Sequence, residues 1–405
     1  MTDHTPRVLG EDEVRAAQRL FRAALHLGPS SDEEWARTGA RTQQPGRTLG
    51  VFGAGDDRPI GTARSMDLEL TVPGGRRVPF AAVTGVAVRP DRTRRGVLSE
   101  LMRTQFDDFA ARGVPIAGLY ATEGRIYGRF GYGVTTLARS YTVDTRRAAL
   151  RPEVPRGGEI ELLDLDEAIE RLPGLYAGLP AHGPGHLTRS EHWWAGCEAG
   201  FRRGDKPVVT VVHHGENGPD GFAVYSADRI FDSESVLRLD MLHAANDTAH
   251  GALWRYLTGV DLVDQISASY RPLGDPARLM FEDPRSCQTT GEPDELWLRL
   301  VDVPAALSAR GYGPGSLVLE VTDPVLPSNA GRYLIDGGSD GTVTRTERPA
   351  QLRIGVTELA MLYLGTWRAE ALATAGRLEA IDATAPAVAD DLFGTRSAPW
   401  CGTFF

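Results

Sequence analysis

Apolar positions along this chain alternate between two periods, and the changes of period mark its elements. Residues 11–26, "EDEVRAAQRLFRAALH", repeat Val14, Leu20, Phe21 and Leu25 at helical spacing. "TLGVFGAG", "PIGTARSMDLELTV" and "RVPFAAVTGVAV" then read as three strands, the last two separated by the turn residues "PGG". Residues 96–112 return to the helical period, with Leu98, Leu101, Met102, Phe106 and Phe109 on one face. "VPIAGLYA" predicts a short buried strand, "GRIYGRFGYG" a helical turn closed by glycines, and "VTTLARSYTVD" a further strand.

The same order recurs more faintly downstream. "KPVVTVVHH", "GFAVYSA" and "SVLRLDMLHAAN" predict strands, "AHGALWRYLTGV" a helix and "DQISASY" a strand. This points to an internal duplication. From "DELWLRLVDVPAAL" the texture changes again: "SLVLEVTDP", "GRYLIDGG" and "TVTRTE" predict strands. "AQLRIGVTELAMLYLG" runs from strand into helix, and "WRAEALATAGRLEA" is amphipathic. "RAALRPEVPRGGE" and "EDPRSCQTTGEPDE" are poor in apolar residues and rich in Pro, Gly or charge. They suggest boundaries near residues 152 and 290, hence regions 1–152, 153–290 and 291–405 of α+β class.

Composition narrows the function classes. A length of 405 residues suits two or three domains. The net charge of −10 argues against nucleic acid or an anionic membrane as partner. Cys197, Cys287 and Cys401 are far apart, without metal-ligand spacing. Three scattered cysteines, with no leader-like or spanning apolar stretch, suggest a cytoplasmic protein without a metal.

The chemistry concentrates in "VAVRPDRTRRGVLSELM", where a strand passes through an arginine-rich loop and a glycine into a helix. The first turn of a helix leaves backbone N–H groups unpaired and carries partial positive charge. Gly96 admits close approach of a ligand, and arginine matches phosphate geometry. Taken alone, a solvated basic loop fits as well as a phosphate seat. The motif is neither a P-loop nor a dinucleotide fingerprint.

The surrounding order of elements resembles the GCN5-related N-acetyltransferase (GNAT) fold. The usual pyrophosphate-loop signature there is Arg or Gln, two residues, Gly, one residue, Gly or Ala. Here Thr93 and Leu98 stand at its ends and only Gly96 agrees. "RRGVL" followed by "EGRIYGRFGYG", with "DLELTVPGG", "WLRLVDVPAALSARGY", "LRIGVTELAMLYLG" and "CGTFF", resembles the Eis (enhanced intracellular survival) family over nearly the whole chain.

That resemblance implies two GNAT domains, the second without a coenzyme A site. It also implies a C-terminal domain like sterol carrier proteins, and a homohexamer. It implies acetyl-CoA as co-substrate, paired with the backbone of Val86, Ala87 and Val88. Arg94, Arg95, Gly96, Val97, Leu98 and Ser99 would hold the pyrophosphate, with Thr122 and Glu123 near the coenzyme arm. Tyr127 would be the general acid and the carboxylate of Phe405 the proton acceptor. Without the resemblance, Tyr127 reads rather as a core aromatic beside Phe130 and Tyr132. "APWCGTFF" carries more apolar surface than an exposed tail usually does.

The implied acceptor is a small-molecule amine, aminoglycosides among them. Leu25, His26, Leu27 and Phe404 stand where family members can carry acids, which puts polycations in doubt, although Asp32, Glu33 and Glu34 are near in sequence. A protein lysine or a small cellular amine is the alternative acceptor. A non-catalytic carrier of an apolar ligand or coenzyme A is the alternative class. His213 and His214 read as a solvated strand end.

Overall fold

A computed structural model of the chain describes residues 5–204, 206–228, 235–338 and 341–405. It divides into two compact units that interleave along the sequence: residues 1–136, 183–196 and 294–405 form one, and residues 137–182 and 197–293 the other.

The first unit holds a seven-stranded sheet. Its order is Arg7–Val8, Thr48–Phe52, Pro59–Thr71, Arg77–Val88, Ile116–Leu119, Trp297–Leu300 and Gly133–Val134. Neighbours are antiparallel except Arg77–Val88 and Ile116–Leu119, which run parallel through the crossover helix Val97–Ala111. One face of the sheet packs Leu49, Val51, Ala63, Ala81 and Val83 against Val97, Leu101, Met102 and Phe106 of that helix. Leu101, Met102 and Phe106 belong to the helical stripe legible in the sequence, whereas Val97 lies outside it and Leu98, which belongs to it, is only partly buried.

The same unit contains a second sheet, ordered Thr342–Arg345, Gly331–Gly338, Tyr312–Thr322, Leu352–Gly355 and Leu378–Ala380. Its helix Val356–Tyr363 is buried nearly all round, and its neighbours tie it to the first sheet. Thr135 Oγ1 donates to Ala360 O at 3.1 Å, and Trp367 Nε1 donates to Val134 O at 2.9 Å. "WRAEALATAGRLEA", amphipathic in sequence, divides into a short helix Ala369–Thr374 and the strand Leu378–Ala380. Gly376 makes the turn at φ +69°, a conformation that glycine adopts without strain.

The second unit repeats the plan. Its sheet runs Cys287–Gly291, Ala138–Asp144, Gln265–Pro272, Val236–Ala244, Gly218–Asp228, Val208–Gly215 and Glu159–Leu163. The parallel pair is Val236–Ala244 with Gln265–Pro272, joined through the helix Asp247–Thr258. The strand Ala138–Asp144, which precedes the boundary expected near residue 152, pairs in this sheet. Trp297–Leu300, which follows the boundary expected near 290, pairs in the first.

His213 is a correction to the sequence reading. It is fully buried, with Nδ1 2.5 Å from Asp220 Oδ1 and Nε2 2.9 Å from Gly157 O. Strand alternation alone does not reveal that an acid seven residues on returns across the hairpin to meet it.

Gly133 fixes the approach of the helix Val356–Tyr363 to the first sheet. A Cβ there would lie 2.2 Å from the backbone oxygen of Thr357, which has no room to move. Gly133→Ala is therefore expected to cost about 1–3 kcal/mol of stability, as overpacking does. Denaturant unfolding measures this, and an unchanged midpoint would show that the two elements are not tightly docked.

Candidate active site

The parallel strands of the first unit hold together only briefly. Phe80, Ala81 and Ala82 pair with Ile116, Ala117 and Gly118, and beyond that the strand Arg77–Val88 continues without this partner. Its other neighbour loses register between Thr62 and Arg64, opposite Gly85 at φ +62°. This bulge turns the strand away as it passes Gly85.

The parting opens a cavity of about 750 Å³. Val86, Ala87 and Val88 line it from the strand, and Gly96, Val97, Leu98 and Ser99 from the first turn of the helix Val97–Ala111. Thr122, Ile126, Tyr127 and Arg129 close the far side, while Ala24 and Leu25 form part of the rim. Arg92, Thr93 and Arg94 also line it; Arg95 and Glu123 do not, although both are exposed beside it. Of the residues singled out in the sequence, the cavity thus gathers all but Arg95, Glu123 and Phe405. It adds Arg92, Ile126, Arg129 and Leu25, which lie in segments quoted above but to which the resemblance assigns no part in holding the coenzyme.

The arginines of the loop fall into two groups. Arg89 donates to Asp91 at 2.7 Å, and Arg92 lies 3.7 Å from both Asp56 and Asp91. Among the described residues, no carboxylate pairs with Arg94 or Arg95. The helix that follows starts from Gly96 at φ +85° with no side chain capping its N–H groups. Open space surrounds the position of a Cβ at Gly96. Uncommitted cations beside uncapped N–H groups suit a pyrophosphate. Among the described residues, no acidic side chain lines the cavity.

Tyr127 is 8% exposed and rests edge-on against Tyr132, with ring centroids 6.0 Å apart. Burial raises its hydroxyl pKa above the usual tyrosine value. Tyr132 lies behind it, near the Arg299 guanidinium that donates to Asp323 at 2.6 Å with both side chains fully buried.

The chain's last residues reach the other side of the parting. The Phe405 ring packs edge-on against Phe80 at 6.2 Å and Tyr120 at 5.3 Å, and Phe404 packs on Tyr120 at 4.6 Å. The backbone behind them is clamped. Glu295 accepts from Cys401 N at 3.1 Å, Gly402 N at 2.8 Å and Thr136 Oγ1 at 2.9 Å. Arg189 donates to Gly402 O and Thr403 Oγ1, and Trp193 Nε1 donates to Phe404 O at 2.7 Å. The "HWWAGC" tryptophan thus serves the tail, and "DEL" supplies its anchor. Nothing in the spacing of either segment signals the partnership.

Three comparisons with known proteins bear on this geometry. Family models described as acetyltransferase (GNAT) domains match residues 5–135 and 185–300, and one described as a sterol carrier protein domain matches residues 303–402. The N-acetyltransferase Eis of Mycobacterium tuberculosis is 37% identical over 372 residues, covering 88% of each chain. The chain belongs to the Eis family of N-acetyltransferases. An uncharacterized N-acetyltransferase of Streptomyces griseus is 39% identical over 89% of each chain. The crystal structure of Eis1 from Mycobacterium abscessus superposes with a TM-score of 0.89 at 37% identity, over the whole of both chains. The protein is accordingly an acetyltransferase enzyme with two GNAT domains and a sterol-carrier-like C-terminal domain. GNAT acetyltransferases use acetyl-CoA. No described helix is long and apolar enough to cross a membrane.

Burial raises the Glu295 carboxyl pKa above its ordinary 4.5, although hydrogen bonds from Gly402, Cys401 and Thr136 pull the other way. The folded protein therefore holds this proton to higher pH than the unfolded chain does. Stability contributed by the group is fully present below about pH 4 and lost as pH rises through the folded value. Glu295→Gln is expected to flatten that part of a melting-temperature profile against pH. An unaltered slope would mean that Glu295 titrates alike in the folded and unfolded protein.

Proposed function

We propose that the cavity binds acetyl-CoA and that the enzyme transfers the acetyl group to an amine at the parting of the strands. The observation that carries this reading is the cavity's composition: an exposed strand backbone at one end and an uncapped helix turn with free arginines at the other. On this reading the N–H groups of Gly96, Val97, Leu98 and Ser99, with Arg94 and Arg95, hold the pyrophosphate. Val86, Ala87 and Val88 hold the pantetheine arm, with Thr122 and Glu123 along its flank. Acetyl-CoA supplies an activated thioester.

Two proton movements then fall to this chain. The carbon–sulfur bond that breaks leaves its electron pair on sulfur, and Tyr127 donates the proton that sulfur takes up. The nitrogen that gains the acetyl carbon gives its proton to the Phe405 carboxylate. A tyrosine near pKa 10 suits a thiol near 8.5, with a modest mismatch, when held in place. An ordinary carboxylate is a weak base for an ammonium, and desolvation among Phe80, Tyr120 and Phe404 favours proton uptake. The hexamer implied by the resemblance is part of this proposal.

Within the second unit the corresponding helix is already occupied. Asn246 Oδ1 accepts from Ala249 N at 2.9 Å, and Asn246 Nδ2 donates to Asp220 Oδ2 at 2.8 Å. A capped turn beside a carboxylate repels phosphate. This supports a second domain without a coenzyme A site.

A polycationic acceptor is poorly matched. Asp32 is hydrogen-bonded to Arg15, Glu33 pairs with Arg37 at 3.7 Å, and Glu34 accepts from Ser31 N at 3.0 Å in a capping box. The acids near in sequence are thus committed elsewhere.

Tyr127→Phe is expected to lower kcat about a hundredfold, as loss of a general acid does, with acetyl-CoA affinity unchanged by calorimetry. Because burial raises the tyrosine pKa, the wild-type kcat should show no alkaline fall below pH 10. Full turnover in the variant would remove Tyr127 from the mechanism. Arg94→Ala and Arg95→Ala are each expected to raise the Kd for acetyl-CoA about tenfold, the loss of one charge-assisted contact. Unchanged affinity in both would make the loop merely solvated.

A further inference from the structure

Arg64 does not line the cavity, but its strand position lies next to it, and no part of the mechanism proposed above uses this residue. It lies on the strand Pro59–Thr71 directly opposite Thr84, two residues before the cavity lining begins at Val86. At about 3.3 Å per strand residue that is some 7 Å beyond the end of the pantetheine arm, on the acceptor side. Its side chain leans on the bulge: a Cβ on Gly85 would lie 3.2 Å from Arg64 Cβ and 3.7 Å from Nε.

The Arg64 side chain is partly buried and its charge is uncompensated. Nη1 donates to Thr42 O at 3.1 Å, and Nε is buried with no hydrogen-bond partner among the described residues. None of the described carboxylates, the chain terminus included, pairs with it. Burial alone pushes its pKa down to about 10, with no neighbouring charge to restore it. Arg299, by contrast, has Asp323, and Arg47 and Arg112 share Asp67. Arg310 also has no carboxylate among the described residues, but its guanidinium lies over the rings of Tyr312 and Phe393 and donates to Phe393 O. A buried cation without a counter-charge is costly, and an anionic ligand removes that cost.

The surroundings tell what kind of ligand. Among the described residues no acid lines the cavity, and the aromatic group of Phe80, Tyr120, Phe404 and Phe405 lies across the parting, with Phe404 69% exposed. We propose that Arg64 binds a carboxylate on the acceptor, so that the substrate is an amine of amino-acid type with an apolar side chain. This inference rests on the acetyl-transfer reading and specifies its acceptor. The guanidinium holds the carboxylate while the α-amine faces the thioester. A polycation would meet a fixed positive charge here with no acid to offset it.

The test uses reaction products, so that it does not depend on turnover. Binding of N-acetylphenylalanine and of its carboxamide to the CoA-loaded protein is measured by calorimetry, for the wild type, Arg64→Gln and Arg64→Lys. The acid is expected to bind the wild type at least tenfold tighter than the amide. Arg64→Gln should abolish that preference and Arg64→Lys keep part of it, with CoA affinity equal in all three. Equal binding of acid and amide to the wild type, or a preference that survives Arg64→Gln, overturns the proposal. Failure of CoA itself to bind would instead overturn the cofactor reading.

Discussion

Everything at this site depends on two parallel strands staying paired for three residues and then separating. Continuous pairing would fill the space with ladder hydrogen bonds and leave the backbone of Val86–Val88 no donor or acceptor to offer a ligand. The bulge at Gly85 shifts the register with one neighbour, which resumes at Ala87 and Val88, just after pairing with the other has ceased. A positive φ makes glycine the natural occupant, so one residue sets both the opening and its direction. The cavity lies along one side of the opening, and the aromatic tail fills the other.

The duplicated unit shows how little is needed to close such a site. It has the same parallel pair and the same crossover helix. It differs at the helix entrance, where an asparagine side chain takes the role that open backbone N–H groups have in the first unit. On the function proposed above, a local capping choice worth about 1 kcal/mol would separate a binding loop from a structural one on otherwise similar frames.

Much of this was legible in the sequence, for identifiable reasons. The helix Val97–Ala111 declares itself by periodicity, and the strands around it by alternation and turn residues. "RTRRG" and "GRIYGRFGYG" concentrate unusual residue types in short spans, but locally they fit a solvated loop and a core aromatic as well, and only the family resemblance assigns roles to the loop and Tyr127. What escaped was non-local. The partnership of Glu295 with Gly402 spans over a hundred residues and follows no period. His213 finds its acid across a hairpin, and Arg64 looks like any charged strand residue until the missing counter-charge is seen. The assignment of Trp297–Leu300 to the first sheet is invisible as well, because a four-residue apolar strand carries no mark of its partner.

That last strand bears on how the protein is made. Ile116–Leu119 has Trp297–Leu300 as its neighbour on one side, so during synthesis the first sheet presents an unpaired apolar edge until the later segment emerges. At 5–20 residues per second the interval is roughly 10–35 s. Over that time a nascent sheet edge can recruit the wrong strand, from its own chain or from a neighbouring ribosome. The interleaved order of units therefore places a burden on chaperones and on translation speed. A contiguous arrangement of the same domains would avoid it.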